Sequence, residues 1–471
     1  MHGMKTTLLL VGSLLSLFCY GQDVAQQLNA AVKKLEADSQ FKHAIVSMYV
    51  VESKTGKVVF DKNAQIGLAP ASCQKVVTSV SAFEMLGKDF RYKTEVGYNG
   101  KIEEGVLNGN LIFIGSGDPT LGSDRYGKYA NLYNFELFEK IRTLPIKKIT
   151  GFVYADDSRF EYQQIPKGWI WEDVGNYYGA GCGAINWNEN TYVLPLKSGK
   201  NIGDTVEIIT QAPVQDVSFL NNLKSAATGS GDNAFIRLAP YSDVGSLEGS
   251  IPVNEKRFLI KGAIPDPSSY FLSQLNIYFD YYKVLKDFRL FTSYYQQKLF
   301  GDTLKYKVQN IFINYSPPLD SINYWFLKKS INLYGEAFVK TISYEKTKFG
   351  STDTGIAIIK NFWQQKGIEP SALNIIDGSG LSPANRVTTN ALVTVMQYAK
   401  KQNWFASFYN ALPEINNIKM KDGYINGVRS YTGYIKSKTG TEYTFSFIVN
   451  NFSGSAGAVR EKMWKVLDLL K

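Results

Sequence analysis

The texture of this chain changes twice along its 471 residues, and that change limits the architectures open to it. Val24, Leu28, Val32 and Leu35 recur at helical spacing, so 23–37 reads as an amphipathic helix. Residues 44–52 and 57–60 read as strands joined by a hairpin at Ser53–Gly56. A helix follows from Ser72 to Gly87, with Val76, Val80 and Phe83 on its apolar side. From about 91 to 265, short alternating segments punctuated by glycine replace this pattern, and 214–250 is rich in small residues. Helical patterns return at 268–300, 325–345, 351–367 and 388–402, and the chain ends strand, strand, helix at 429–437, 443–450 and 457–470. Two mixed ends around a different middle describe one α/β domain interrupted by a mostly β insertion.

The first 21 residues read as a leader rather than as fold. Lys5 supplies a charge, Leu8–Phe18 an apolar run, and Gly21 a small residue at the end, the pattern of a secretory signal. The run falls short of the roughly 20 residues that cross a bilayer. A lipid anchor on Cys19 is the alternative, and bulky Phe18 before it argues against one. An exported protein, periplasmic or secreted, is expected. Cys73 and Cys182 would then meet an oxidising compartment, and sequence leaves their pairing open. The balance of 52 basic against 42 acidic residues, net +10, contains no basic run that points to nucleic acid. The surplus fits a loose association with the membrane or cell wall.

Histidine narrows the chemistry. Only His2 and His43 are present, so a Ser-His-Asp triad or a His/Cys zinc site has almost nothing to draw on. No metal or cofactor is expected. Ser72-Cys73-Gln74-Lys75 offers another base: a hydroxyl and an amine three residues apart share one face at a helix N-terminus. A free lysine has a pKa of about 10.4, so acting as a base near pH 7 requires a shift of roughly 3 units, about 4 kcal/mol. Burial and a second cation are the means, which calls for another lysine nearby. Lys438-Thr439-Gly440-Thr441, between two strand patterns, supplies a candidate. Lys438 would hold a substrate carboxylate, Gly440 would let a substrate backbone approach, and the Thr441 amide would join the Ser72 amide in an oxyanion hole. Ser330 and Asn332 in Ser330-Ile331-Asn332 could relay a proton and orient the substrate. Two further matches read as structural: Lys54-Thr55-Gly56 sits in a hairpin turn, and Ser321-Ile322-Asn323 reads as a helix start.

The ordered Ser-x-x-Lys, Ser-x-Asn and Lys-Thr-Gly-Thr motifs resemble the penicillin-recognising serine enzymes, more narrowly the class C low-molecular-mass penicillin-binding proteins, the D-Ala-D-Ala carboxypeptidase/endopeptidase family. Gly117-Asp118-Pro119-Thr120-Leu121, Gly168-Trp169-Ile170-Trp171, Tyr177-Tyr178-Gly179-Ala180 and Asp377-Gly378-Ser379-Gly380-Leu381-Ser382 are similar to further segments of that family. The resemblance implies a transpeptidase/β-lactamase-like domain I at 22–90 and 268–471, with a five-stranded antiparallel sheet between helices. It implies a domain II at 91–188 and 252–267, and a small β domain III at 189–251. It also implies that peptidoglycan stem peptides and β-lactam antibiotics acylate Ser72. Asp156 and Asp157 look like the family's acidic partner for the amino group of the peptide tail. Where the family often carries Arg after Gly-Leu-Ser, Pro383 stands here, and Arg386 is the nearest substitute. A β-lactamase and a non-catalytic, penicillin-sensing wall-binding protein are the competing readings.

Overall fold

The computed structural model describes residues 24–126, 136–210, 214, 217–286, 288–301 and 307–471. The leader expected at 1–21 lies outside the described residues. The two ends of the chain meet in one antiparallel sheet. Its strands are β1 (Ile45–Glu52), β2 (Val58–Lys62), β3 (Glu414–Ile415), β4 (Ile418–Ile425), β5 (Val428–Lys436) and β6 (Glu442–Asn450), in the order β2-β1-β6-β5-β4-β3. The sheet has six strands where five were expected; the addition is the two-residue β3, which covers only the start of β4. Strand β4 itself was not anticipated. Its sequence, Ile-Lys-Met-Lys-Asp-Gly-Tyr-Ile, carries charge and glycine where a buried strand normally reads apolar.

Side-chain alternation divides the sheet between two layers. Phe445, Phe447 and Val449 of β6 face one side, with Met48 and Val50 of β1. Against them packs α1 (residues 24–36) through Leu28, Val32 and Leu35, spaced as an amphipathic helix requires. The C-terminal helix Ala456–Leu467 joins that layer through Val459, Met463 and Val466. The opposite face carries Ile448 and a buried Thr432–Ser446 hydroxyl pair 2.9 Å apart. It lies against α2 (Lys75–Leu86), α3 (Leu319–Lys328), α4 (Asn332–Thr347), α5 (Thr352–Gln365) and α6 (Thr389–Ala399). The sequence pattern at 325–345 suggested one helical stretch; the chain breaks between α3 and α4 at Ser330, whose φ is +56°.

The insertion builds a second core. Its main sheet runs Arg289–Thr292, Phe152–Asp156, Leu111–Ile114, Lys93–Tyr98, Gln309–Tyr315. The stretch 268–300, read as helical and placed with the first domain, forms instead the helix Pro267–Tyr281, the strand Arg289–Thr292 and the helix Ser293–Phe300. Phe271, Leu275, Tyr278 and Phe279 bury into this second core, and Gln309–Tyr315 pairs with Lys93–Tyr98. The aromatic residues follow the neighbours that cover them, so the insertion reaches to about 315 rather than to 267. Strands at 191–263, which include the expected domain III, contribute Leu194, Ile236, Leu247 and Ile260 to the same continuous core.

Phe445 is fully buried between sheet and terminal helices. Replacing it with alanine should cost about 3–5 kcal/mol, read as a lowered urea midpoint; a change under about 1 kcal/mol would show that the terminal-helix layer is not tightly packed.

Candidate active site

Ser72 lies on a short 3-10 turn, Ala71–Gln74, that runs directly into α2. Ala71 before it holds φ +46°, a left-handed conformation a non-glycine residue adopts only when its surroundings impose it. The constraint is visible. Ser430 Oγ of β5 donates to the Pro70 carbonyl at 2.6 Å, and Gly423 of β4 packs so closely that a Cβ there would lie 2.8 Å from the Ser72 nitrogen. Gly380, at φ +78°, presses on the other side, where a Cβ would meet the Ala71 carbonyl oxygen at 2.0 Å. The nucleophile turn is clamped between the sheet and the Asp377–Asn385 loop.

Lys75 is fully buried, and its Nζ has three neighbours: Ser72 Oγ at 2.8 Å, Asn332 Oδ1 at 2.6 Å and the Ser379 carbonyl oxygen at 2.7 Å. Both the Asn332 and Ser379 oxygens can only accept. A neutral amine has two hydrogens and one lone pair, so the hydrogens go to these oxygens and the lone pair faces the Ser72 hydroxyl. Burial is the main cause that pulls the Lys75 pKa down to about 7, and the Lys421 ammonium adds to it. Asp377, Glu336 and Asp422 oppose the shift. Glu336, one helical turn beyond Asn332 on α4, is itself raised well above the carboxylate range, first by burial and then by Asp377. Its Oε2 accepts the Gly378 amide at 2.9 Å.

The loop beneath is organised by Asp377, which accepts from Gln74 Nε2, Trp169 Nε1, Asn385 Nδ2 and the amides of Gly380 and Ser382. Trp169 belongs to the insertion, as does Tyr178, whose carbonyl takes the Asn332 Nδ2 hydrogen at 2.7 Å. The insertion thus sets the rotamer of Asn332 and, through it, one of the two acceptors on Lys75. Among the described residues no cluster of His, Cys, Asp and Glu is arranged to hold a metal ion. A cavity of about 670 Å³ in the insertion, lined by Tyr241, Asp266, Tyr270, Phe291 and Tyr295, shares no residue with this site.

A sequence profile described as D-Ala-D-Ala carboxypeptidase 3 (S13) matches residues 28–415. The chain belongs to that family. Among its relatives, the D-alanyl-D-alanine carboxypeptidase DacB of Haemophilus influenzae is 24% identical over 423 residues, 84% of this chain and 83% of that protein. The D-alanyl-D-alanine carboxypeptidase of Actinomadura sp. is 22% identical over 465 residues, 91% of this chain and 82% of that protein. The crystal structure of penicillin binding protein 4 from Haemophilus influenzae has the same fold, with a TM-score of 0.77 at 22% identity over 96% of this chain and 99% of that one. The same protein, complexed with a β-lactam, gives a TM-score of 0.72 at 21% identity over 91% of this chain and 97% of that one.

The S13 profile match ends before β4, and there the structure corrects the sequence reading. Lys438, Thr439, Gly440 and Thr441 are outside the site. They form the tight turn between β5 and β6: the Gly440 amide donates to the Ser437 carbonyl at 2.9 Å and the Thr441 amide to Ser437 Oγ at 3.0 Å. The Thr441 amide is therefore not an oxyanion donor. Thr439 Oγ1 pairs with Ser437 Oγ, and the Lys438 amide donates to the carbonyl of Lys471. Strand geometry gives the reason. Gly423 lies opposite Ser430 and Lys421 opposite Thr432, beside the nucleophile. The end of β5 at Lys436 is four residues past Thr432, about 13 Å further at roughly 3.3 Å per residue. The lysine that reaches the site is Lys421. It is buried, its carbonyl accepts from Cys73 Sγ at 3.2 Å, and its charge acts on Lys75. A signal was present in the sequence: Lys421-Asp422-Gly423 precedes Asn426-Gly427, a hairpin dipeptide between two strands. The literal Lys-Thr-Gly-Thr downstream concealed it.

The remaining expected residues divide. Ser72, Lys75 and Asn332 come together, and Ser330 occupies the strained turn two residues before Asn332. Asp156 Oδ1 instead accepts from Ser158 and Ser293 hydroxyls, and Asp157 Oδ1 from the Tyr294 amide. Asp157 is buried, which together with neighbouring Asp266 and Asp156 raises its pKa to about 7. Both brace the helix Ser293–Phe300 within the insertion. Arg386 is exposed and closes its own loop by donating to the Pro383 and Asn385 carbonyls. Cys73 and Cys182 are both free and buried.

The two lysines should separate in kinetics. Lys421→Ala should lower kcat/KM by about 10²-fold or more, the scale of losing one aligned electrostatic group, whereas Lys438→Ala should stay within about twofold; the reverse ranking would restore the turn lysine. The rate of Ser72 acylation should fall with decreasing pH below about 7, where Lys75 takes up a proton, and level off above it. A rate that climbs steadily to pH 10 would mean that Lys75 keeps an ordinary lysine pKa.

Proposed function

We propose that this chain is a serine-type D-Ala-D-Ala carboxypeptidase, or DD-endopeptidase, that works through an acyl-enzyme on Ser72. The observation that carries the reading is the buried amine of Lys75, whose Nζ lies within 2.8 Å of Ser72 Oγ, Asn332 Oδ1 and the Ser379 carbonyl oxygen. As Ser72 Oγ attacks the carbonyl of the penultimate D-Ala, Lys75 takes the hydroxyl proton. The developing oxyanion would sit between the Ser72 amide and the Tyr424 amide, which follows Gly423 on the strand beside the nucleophile. Collapse breaks the C–N bond, and the departing amine receives the proton through Ser330. Water then repeats the sequence, with Lys75 as base, and frees Ser72. Asn332 holds Lys75 in place and offers its amide edge to the substrate. Lys421, in the position earlier expected of Lys438, supplies the second cation.

Peptidoglycan stem peptides are the proposed substrates, in line with the names of the family's relatives, and β-lactams the proposed inactivators, in line with the β-lactam complex of penicillin binding protein 4. Export fits this chemistry. The Leu8–Phe18 run followed by Gly21 supports a cleaved leader and a periplasmic or secreted enzyme, and no described helix is long and apolar enough to cross a membrane.

Fluorescent penicillin should label the intact protein covalently, and Ser72→Ala should abolish the label. Equal labelling of both would refute the acyl-enzyme. Digestion of purified peptidoglycan followed by mass analysis then distinguishes the two activities: loss of one alanine marks a carboxypeptidase, splitting of cross-linked dimers an endopeptidase.

A further inference from the structure

Three polar side chains follow one another at four-residue spacing on the buried face of α4: Asn332, Glu336 and Lys340. Asn332 reaches Lys75, and Lys340 reaches the insertion through the Gln163 and Cys182 carbonyls. Glu336, between them, has no part in the mechanism above. It is fully buried, and its Oε2 accepts the Gly378 amide at 2.9 Å. The Gly378 carbonyl takes the Thr78 hydroxyl hydrogen at 2.6 Å, so Gly378 is gripped from both α4 and α2. The approach is close: a Cβ on Gly378 would lie 2.3 Å from the Gly335 carbonyl oxygen. The next carbonyl along the loop, that of Ser379, is one of the two acceptors on Lys75. Asn332, one turn before Glu336, carries the other. Glu336 therefore joins the two segments that deliver both acceptors.

The surroundings of Glu336 bear on its proton. Its Oε1 is buried and has no hydrogen-bond partner among the described residues, whereas the neighbouring carboxylate of Asp377 accepts five hydrogen bonds. A buried charge with so few donors is costly. Burial, and then Asp377, push Glu336 well above the carboxylate range, against the pull of the Gly378 amide, the Ser379 hydroxyl and the Lys75 ammonium. The titratable groups facing it are Lys75 on α2, Asp377 on the loop, Lys340 on its own helix and the Cys182 thiol of the insertion. In its neutral form Glu336 no longer opposes the lowered pKa of Lys75. We propose that Glu336 is a positioning residue for the base: as an uncharged acid it holds Gly378 against α4, so that Asn332 Oδ1 and the Ser379 carbonyl stay aimed at one nitrogen with no negative charge added beside it. The inference rests on the peptidase reading above and deepens it.

The test is the rate constant for labelling Ser72 of the full protein with excess fluorescent penicillin, followed from about pH 5 to about pH 10. That constant does not depend on how much of a preparation is folded. Glu336→Leu should lose the grip on Gly378 and lower the maximal rate about tenfold or more, with the half-saturating penicillin concentration little changed. Glu336→Gln, neutral and able to accept the same amide, should restore the rate to within about threefold of the parent and keep the midpoint of the pH profile within about 0.3 unit. A midpoint that falls by about one unit or more in Glu336→Gln overturns the proposal, because a negative charge has then been removed from beside Lys75. A Gln variant as slow as the Leu variant overturns it too, since the proton of the acid rather than its grip is then what matters. So does a Leu variant as fast as the parent. Should the Leu variant not fold, Glu336→Asp, an acid one methylene too short for Gly378, is expected to show the same loss, and a parental rate in it is equally fatal. A parent protein that takes no label on Ser72 fails the peptidase reading itself, an outcome distinct from any difference between these variants.

Discussion

An uncharged amine in a dry place is what the catalytic architecture depends on. Lys75 can serve as a base only if burial outweighs its affinity for a proton, and burial is tolerable only if every hydrogen it keeps has an acceptor. Asn332 and the Ser379 carbonyl are those acceptors, contributed from two segments far apart in the chain. Lys421 on a third adds positive charge, while Asp377 and Glu336 pull the other way. The site is a balance of charges around one nitrogen, and much of the surrounding fold supports it: the left-handed Ala71, the glycines at 380 and 423, and the Asp377 loop.

The insertion participates in that balance. Trp169 donates to Asp377 and the Tyr178 carbonyl holds the Asn332 amide. Lys340 of α4 donates to the carbonyls of Gln163 and Cys182, further tying the two cores together. A segment that reads as an interruption of the catalytic domain is, in packing terms, one wall of its site. This also gives Asp156 and Asp157 a place: they anchor the helix Ser293–Phe300 inside the insertion and contribute to its integrity.

The legible parts of the site were the local ones. Ser72 and Lys75 share one helical turn, and Ser330 and Asn332 sit together in a helix-to-helix turn, so spacing alone relates each pair. The mixed α/β ends read as one interrupted domain, and both contribute strands to one sheet. Lys421 escaped because its relation to Ser72 runs across hundreds of residues and through strand register. Strand β4 is polar enough to hide as a loop, and a better match to the motif stood downstream in a turn. The aromatic run near 270–299 was misassigned for the same reason: large rings announce burial without saying in which core.

What the chain determines by itself is the kind of chemistry. With two histidines and three cysteines in 471 residues, a serine acting with a lysine is the economical nucleophile, and that follows from residue inventory and helix periodicity. Tertiary structure alone decided which lysine is second and whether Asn332 points at the first. Helix spacing is set by bonds along the backbone, whereas electrostatic coupling depends on distance in space, and strand pairing fixes that distance only once the sheet has formed.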